Sequence, residues 1–262
     1  MNKSDAKQSR EELILIATGK RHNKALSIVS HDLKSPLTCI LGHSKLLLDK
    51  MRANGSDSAM IKTIKRIISS GENMQSLVND INLMVKMEAG RERVEPYWVD
   101  DLEWEMRETV KTFELQAELK HITLQVKADP LLPPVCWDMT RIRNHVLNNI
   151  ISNALKFTPE GGFVALKATT VSEHILLRVE DTGPGIPPEE EEKIFDRFRQ
   201  LEVMSERSFA GSGLGLHNAR LFVERHGGEI FLDSSYINGA AFLIKLPLNA
   251  VGAGEPCMNL SS

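Results

Sequence analysis

From residue 26 to residue 85 the apolar side chains recur at steps of three and four, interrupted once by the polar stretch RANGSD (52–57). Leu26, Ser30, Leu33, Leu37, Ile40, Ser44, Leu47 and Met51 make one seam. Ile61, Ile64, Ile68, Gly71, Met74, Val78, Ile81 and Val85 make the next. A strip of this period runs along one face of an α-helix, and Gly, Asn and Asp between two strips are turn formers. The spacing therefore predicts a helical hairpin over 25–93. Two helices leave too much apolar stripe uncovered to stand alone, and a second copy completing a four-helix bundle is the simplest remedy. A hairpin packed on the rest of its own chain is the alternative.

Past EPYW (95–98) the period changes. A helical pattern covers about 100–119, and ITLQV (122–126) alternates like a strand. A helix is predicted over 139–157, strands over 163–170 and 174–180, a helix over 213–226, and strands near 229–233 and 241–246. Strands interleaved with helices predict an α/β sandwich over 96–249, which makes the whole chain α+β. The turn PEGG (159–162) predicts antiparallel hairpins for part of the sheet. Segments 1–24 and 250–262 read as an entering linker and a flexible tail.

Bulk properties exclude several classes. A net charge of −3 over 262 residues argues against a broad nucleic-acid footprint. LILIA (13–17) is far short of the ~20 apolar residues that cross a bilayer. Cys39, Cys136 and Cys257 form no CxxC pair, so reduced thiols in a cytoplasmic setting are expected rather than a disulfide framework or a zinc site.

On the helix 139–157, Ile142, Val146, Leu147, Ile150, Ile151 and Ala154 form an apolar stripe, and His145, Asn149, Asn153 and Lys156 form a second, polar one. Amide oxygens beside a lysine suit Mg²⁺ bound to a triphosphate, because Mg²⁺ takes hard oxygen ligands and keeps phosphate oxygens among them. A solvated helix face is the plain alternative. DTGPGIP (181–187) closes a strand with an acid and two glycines. The acid can accept from an exocyclic amine such as that of adenine, and the glycines let backbone approach a base. GSGLGL (211–216) opens a helix, where free N–H groups favour phosphate. Each glycine motif alone could be a turn; their order along one chain points to a nucleotide.

The set NNIISNALKFTP, DTGPGIP, KIFDRF and GSGLGL resembles the N, G1, F and G2 boxes of sensor histidine kinases, which have the Bergerat ATP-binding fold shared with gyrase and MutL. SHDLKSPL (30–37) resembles their H box. The resemblance implies ATP and Mg²⁺ as cofactors, with Asn153 coordinating the metal helped by Asn149, and Lys156 on phosphate. It places Phe157 beside the nucleotide and Asp181 on adenine. Gly183, Gly185, Ile186, Gly211, Gly213, Leu214 and Gly215 would shape the pocket. Phe195 and Phe198 would anchor a lid over about 199–210.

Related ATPases carry a water-activating glutamate four residues before the metal-binding asparagine; here that position is Asn149. An amide is no general base. The nucleophile implied is His31, whose neutral imidazole can attack a γ-phosphoryl group in line. By resemblance Asp32 orients the other ring nitrogen or takes its proton. Pro36, inside the helical pattern, is expected to loosen the helix just beyond His31. Ser35, one turn from His31, either positions water for dephosphorylating a partner or is an ordinary surface hydroxyl.

Two departures stand out. Gln200 replaces an arginine common beyond the second F-box phenylalanine, so Arg197 or Arg199 is expected to meet the γ-phosphate. Ala240 in NGAAF stands where a hydroxyl is usual, removing one hydrogen bond near the base, worth roughly 0.5–1.5 kcal/mol. The acidic run EEEE (189–192) is expected to satisfy a helix N-terminus. The resemblance implies a homodimer that passes phosphate to a response-regulator receiver domain, with an upstream sensor domain or sensor protein outside this chain. The competing classes are a conformationally cycling ATPase and a nucleotide-binding scaffold.

Overall fold

The computed structural model describes residues 33–52, 58–89, 91–200 and 213–250. His31, Asp32, Gly211 and the segments 1–24 and 251–262 lie outside the described residues, as do Leu26 and Ser30 of the first seam. The chain divides into two compact units at Glu92/Arg93.

In the first unit a helix, α1, covers 33–52 and a second, α2, covers Ser58–Glu88. Leu37, Leu41, Leu48, Ile64 and Ile68 form a buried cluster with Met51 and Ile61 packed on it. Gly71 lets the helices close, since a Cβ there would stand 2.6 Å from Leu41 Cδ2. Lys45 and Glu72 pair across the hairpin at 2.8 Å, a solvent-exposed bridge that adds about 0–1 kcal/mol. The expected seam divides into two. Leu33, Ile40 and Leu47 are 50%, 53% and 49% exposed and Met74 is 57% exposed, while Leu41 and Leu48 occupy the inner face. A globular helix carries an apolar stripe more than about 100° wide, and one neighbouring helix covers only one flank of it. Pro36 lies within the helical residues of α1 and is exposed.

The second unit opens with β1 (Tyr97–Val99), then α3 (Leu102–Lys111) and α4 (Glu114–Leu119). The single helix expected over 100–119 is broken because Thr112 and Phe113 donate three residues back, to Thr109 and Val110, and close the turn too tightly to continue. Next come β2 (Thr123–Ala128) and β3 (Val135–Trp137). The helix over 139–157, α5, begins at Met139–Arg141, passes through a π-helical stretch Ile142–Leu147 and continues as α-helix over Asn148–Phe157. Asp138 caps its start by accepting from the Arg141 amide at 3.0 Å. Strands β4 (Phe163–Val171) and β5 (His174–Asp181) precede α6 (Gly215–Arg225), β6 (Glu229–Leu232) and β7 (Ala241–Pro247).

The main sheet has the order β2-β4-β5-β7-β6, with β2 parallel to β4 and the other neighbours antiparallel. Helix α5 makes the crossover that a parallel pair requires. Leu155, Leu177, Val179, Phe222 and Val223 are buried where helices and sheet meet. PEGG does not join two strands as expected; it carries the chain from α5 into β4, and the hairpin turn lies at Ser172 and Glu173. β1 and β3, three-residue strands too short to display a period, pair with each other antiparallel.

Cys136 on β3 is disulfide-bonded, contrary to the reduced thiol expected. Distance along the chain hid this: Cys136 donates to the Leu248 carbonyl at 2.7 Å and accepts from the Ala250 amide at 3.0 Å. Cys39 is a free, exposed thiol.

Candidate functional site

Asp181 ends β5 and is 5% exposed. Its Oδ1 accepts from the amides of Gly183 at 2.8 Å and Ala240 at 3.2 Å, while its own amide donates to the Ala240 carbonyl at 2.9 Å. Burial pushes the carboxyl above its ordinary range, and the two amides oppose that. Both side-chain bonds land on Oδ1, which leaves Oδ2 as the atom able to read an amine. Gly183 is required by this approach, since a Cβ would stand 2.9 Å from Oδ1, and one at Gly239 would overlap the Asp181 carbonyl. Gly239, given no role in the sequence reading, stands beside Ala240 in NGAAF, two residues before β7. Ala240 contributes here through its backbone alone, so the missing hydroxyl leaves the clamp on Asp181 intact. Gly185 adopts φ +75°, the left-handed region, and Ile186 beside it is half-buried.

Asn149, on α5, donates from Nδ2 to the His145 carbonyl at 2.6 Å and to the Gly215 carbonyl at 3.2 Å. That ties α5 to the first turn of α6 and leaves Oδ1 as the side chain's remaining acceptor. The Asn153 side chain, one turn on, makes no hydrogen bond to the described residues. Lys156 is half-buried, and burial alone lowers its pKa; its Nζ stands 4.9 Å over the Phe157 ring. Lys156 therefore presents a cation from a partly desolvated position, where attraction to phosphate is stronger than in open water. His145 leaves the polar stripe. The π-helical turn advances the phase by an extra residue, and its ring stacks on Phe222 at 4.7 Å and 10°.

Leu214 is fully buried at the start of α6. Before it, Gly213 at φ +68° meets Phe198 at φ +61°, and the Phe198 amide donates to the Gly213 carbonyl at 2.9 Å. Phe195 is buried edge-on to Phe242, whereas Phe198 is 52% exposed. Arg199 makes bonds of 2.9 and 2.6 Å to Glu190, and that guanidinium holds the Glu190 carboxyl below its usual range. Glu189 and Glu190 lie in the first turn of the 3₁₀ stretch Pro188–Glu190, the helix start expected for the acidic run, without forming a side-chain cap; Glu190 also pairs with Arg199, and Glu191 accepts from the Ser234 hydroxyl at 2.6 Å. Ser35 is exposed on α1.

The donor set fits magnesium in one form only. Among the described residues no three His, Cys, Asp or Glu side chains converge, so an ion here would rest on the amide oxygens of Asn149 and Asn153 and on the nucleotide's own phosphates. No described helix is long and apolar enough to cross a membrane.

Comparison with known proteins adds two family matches. Residues 138–250 match the family described as "Histidine kinase-, DNA gyrase B-, and HSP90-like ATPase", and residues 21–90 match "His Kinase A (phospho-acceptor) domain". A curated relative, the circadian input-output histidine kinase CikA of Synechococcus elongatus, is 34% identical over 226 residues, which is 85% of this chain and 29% of that protein. The chain thus spans under a third of that relative's length. Among solved structures, full-length ShkA in complex with AMPPNP is 28% identical with a TM-score of 0.70, covering 86% of this chain and 45% of that one. The histidine kinase ThkA in complex with the response regulator protein TrrA is 26% identical with a TM-score of 0.60, covering 93% of this chain and 65% of that one.

Proposed function

This chain belongs to the sensor histidine kinases, and from that premise we propose that it phosphorylates itself on His31 with ATP and hands the phosphoryl group to an aspartate of a response regulator. The observation that carries the reading is Asn149: its amide nitrogen is committed to two carbonyls, and the position offers no base to activate water. Asp181 reads the adenine amine through Oδ2. Lys156 and the amides at the start of α6 receive the phosphates, and Phe198 and Gly213 bracket the lid. Magnesium, when bound, would neutralise charge on the β- and γ-phosphates.

A neutral ring nitrogen of His31 forms a P–N bond to the γ-phosphorus as the bond to the β-bridging oxygen breaks, and ADP leaves. The proton on the other nitrogen passes to Asp32 or solvent. The phosphoramidate then yields its phosphoryl to a carboxylate of the receiver domain. Support for that partner comes from the ThkA–TrrA complex. The exposed Leu33, Ile40 and Leu47 support a homodimeric bundle. An upstream sensor and a cytoplasmic location, where ATP is supplied, complete the proposal. Ser35 stands on the acceptor helix as the residue to place water if the regulator is dephosphorylated by the same chain.

Incubation with Mg²⁺ and γ-labelled ATP tests the central step. Acid-labile, alkali-stable label on the native chain and none on His31→Gln is the expected result. Free phosphate without protein label, or label that persists in His31→Gln, refutes it.

A further inference from the structure

We propose that Lys120, which no motif marks, is a positioning residue for the triphosphate end of the nucleotide site, an inference that rests on the nucleotide reading above. Its ammonium donates to the carbonyls of Leu155 at 2.7 Å, Lys156 at 3.0 Å and Thr158 at 3.3 Å. An ammonium has three N–H donors, and all of them are used at the C-terminal end of α5, two on its last turn and one on Thr158 just past it. Those carbonyls are ones a helix C-terminus leaves without intrahelical partners, and a cation there also meets the negative end of the helix dipole. The Lys120 carbonyl meanwhile accepts from the Gly161 amide at 3.2 Å, and the Thr123 amide donates to Gly162 at 2.9 Å. One residue therefore grips the end of α5 with its side chain and the loop that follows with its backbone.

What is gripped matters. Lys156 and Phe157 occupy that last turn, and the Phe157 carbonyl lies 3.3 Å from where a Gly183 Cβ would be, so the turn also borders the loop after β5. Asp181, by contrast, is fixed by Gly183 and Ala240 without Lys120. Loss of the ammonium frees the three carbonyls and lets Lys156 drift from its phosphate position, while the base clamp stays.

The test measures binding of an ATP analogue and of adenosine, each with Mg²⁺, by calorimetry on the full chain and on Lys120→Met and Lys120→Arg, with melting temperatures recorded in parallel. The Met variant should lose about tenfold in affinity for the ATP analogue, the size of effect that one displaced charge-assisted contact produces. Its adenosine affinity should stay as in the native chain, and Arg, which restores a cation able to reach carbonyls, should recover most of the loss. If the Met variant does not fold, Lys120→Gln takes its place with the same expected order. Equal losses for both ligands, no loss for either, or failure of Arg to recover binding overturns the proposal. A native chain that binds neither ligand refutes the nucleotide site itself, an outcome separate from these.

Discussion

Phe198 and Gly213 are joined back to back: the amide of one donates to the carbonyl of the other at 2.9 Å, and both have left-handed backbones, at φ +61° and +68°. A bulky residue at positive φ is strained. Gly213 makes room for it, since a Cβ there would stand 2.6 Å from the Phe198 carbonyl carbon. The clasp holds Phe198 against Gly213 at the entrance to α6. Gly213→Ala should break it, because alanine in left-handed backbone costs about 1–2 kcal/mol before the clash is counted. Calorimetry should read a weakening of ATP-analogue binding of tenfold or more, with the sheet's melting transition little changed; unchanged binding would discount the clasp.

Asp181→Asn keeps an acceptor for the Gly183 and Ala240 amides but turns Oδ2 into a donor. An adenine amine then faces N–H instead of oxygen. Reversing one charge-assisted bond of about 1.5–3 kcal/mol should cut ATP affinity by roughly 10- to 100-fold. Inosine triphosphate, which offers a carbonyl in place of the amine, should lose much less. Competition binding with the two nucleotides distinguishes a base reader from a structural aspartate, which would weaken both alike.

His226 is wholly buried at the end of α6: Nε2 accepts from the Asp138 amide at 3.2 Å and Nδ1 donates to the Phe222 carbonyl at 2.7 Å. Only the neutral ring can do both. Burial lowers its pKa, as it does that of His217, while in the unfolded chain the value is about 6.5. Above that pH both states are neutral and nothing is lost. Below it the unfolded chain takes up protons first, so stability falls with pH until the folded-state pKa is passed. Urea midpoints should therefore drop between pH 7.5 and pH 5, and His226→Gln, less stable at neutral pH, should show a shallower drop.

Ile40 and Leu47 stand one heptad apart on the outer flank of α1, 53% and 49% exposed. Ile40→Glu with Leu47→Glu should give a monomer in sedimentation equilibrium at concentrations where the native chain is a dimer. Hairpin helicity should be kept, because Leu37, Leu41 and Leu48 are untouched. A native chain that sediments as a monomer would remove the bundle.

The sequence by itself determined the family, through its ordered motifs, and the type of most of the longer elements. Periods of 3.6 and 2 record which faces are buried, so the two helical seams were legible as helices, and α5, β4, β5 and α6 to within a residue or two. Asp181, Gly183 and Gly213 were legible because a strand end and a left-handed turn admit few residue types. Tertiary structure alone decided what depends on residues far apart in the chain. Which flank of α1 the hairpin buries shows only in the packing of Leu37, Leu41 and Leu48 against Ile64 and Ile68. The pairing of β1 with β3 and the linkage of Cys136 needed strands too short to carry a period. His145 left its stripe because a π-turn adds a residue that no local pattern announces. Lys120 reaches carbonyls 35 to 38 residues away, and a side chain's partners across such a gap are fixed by packing, which local periodicity does not encode.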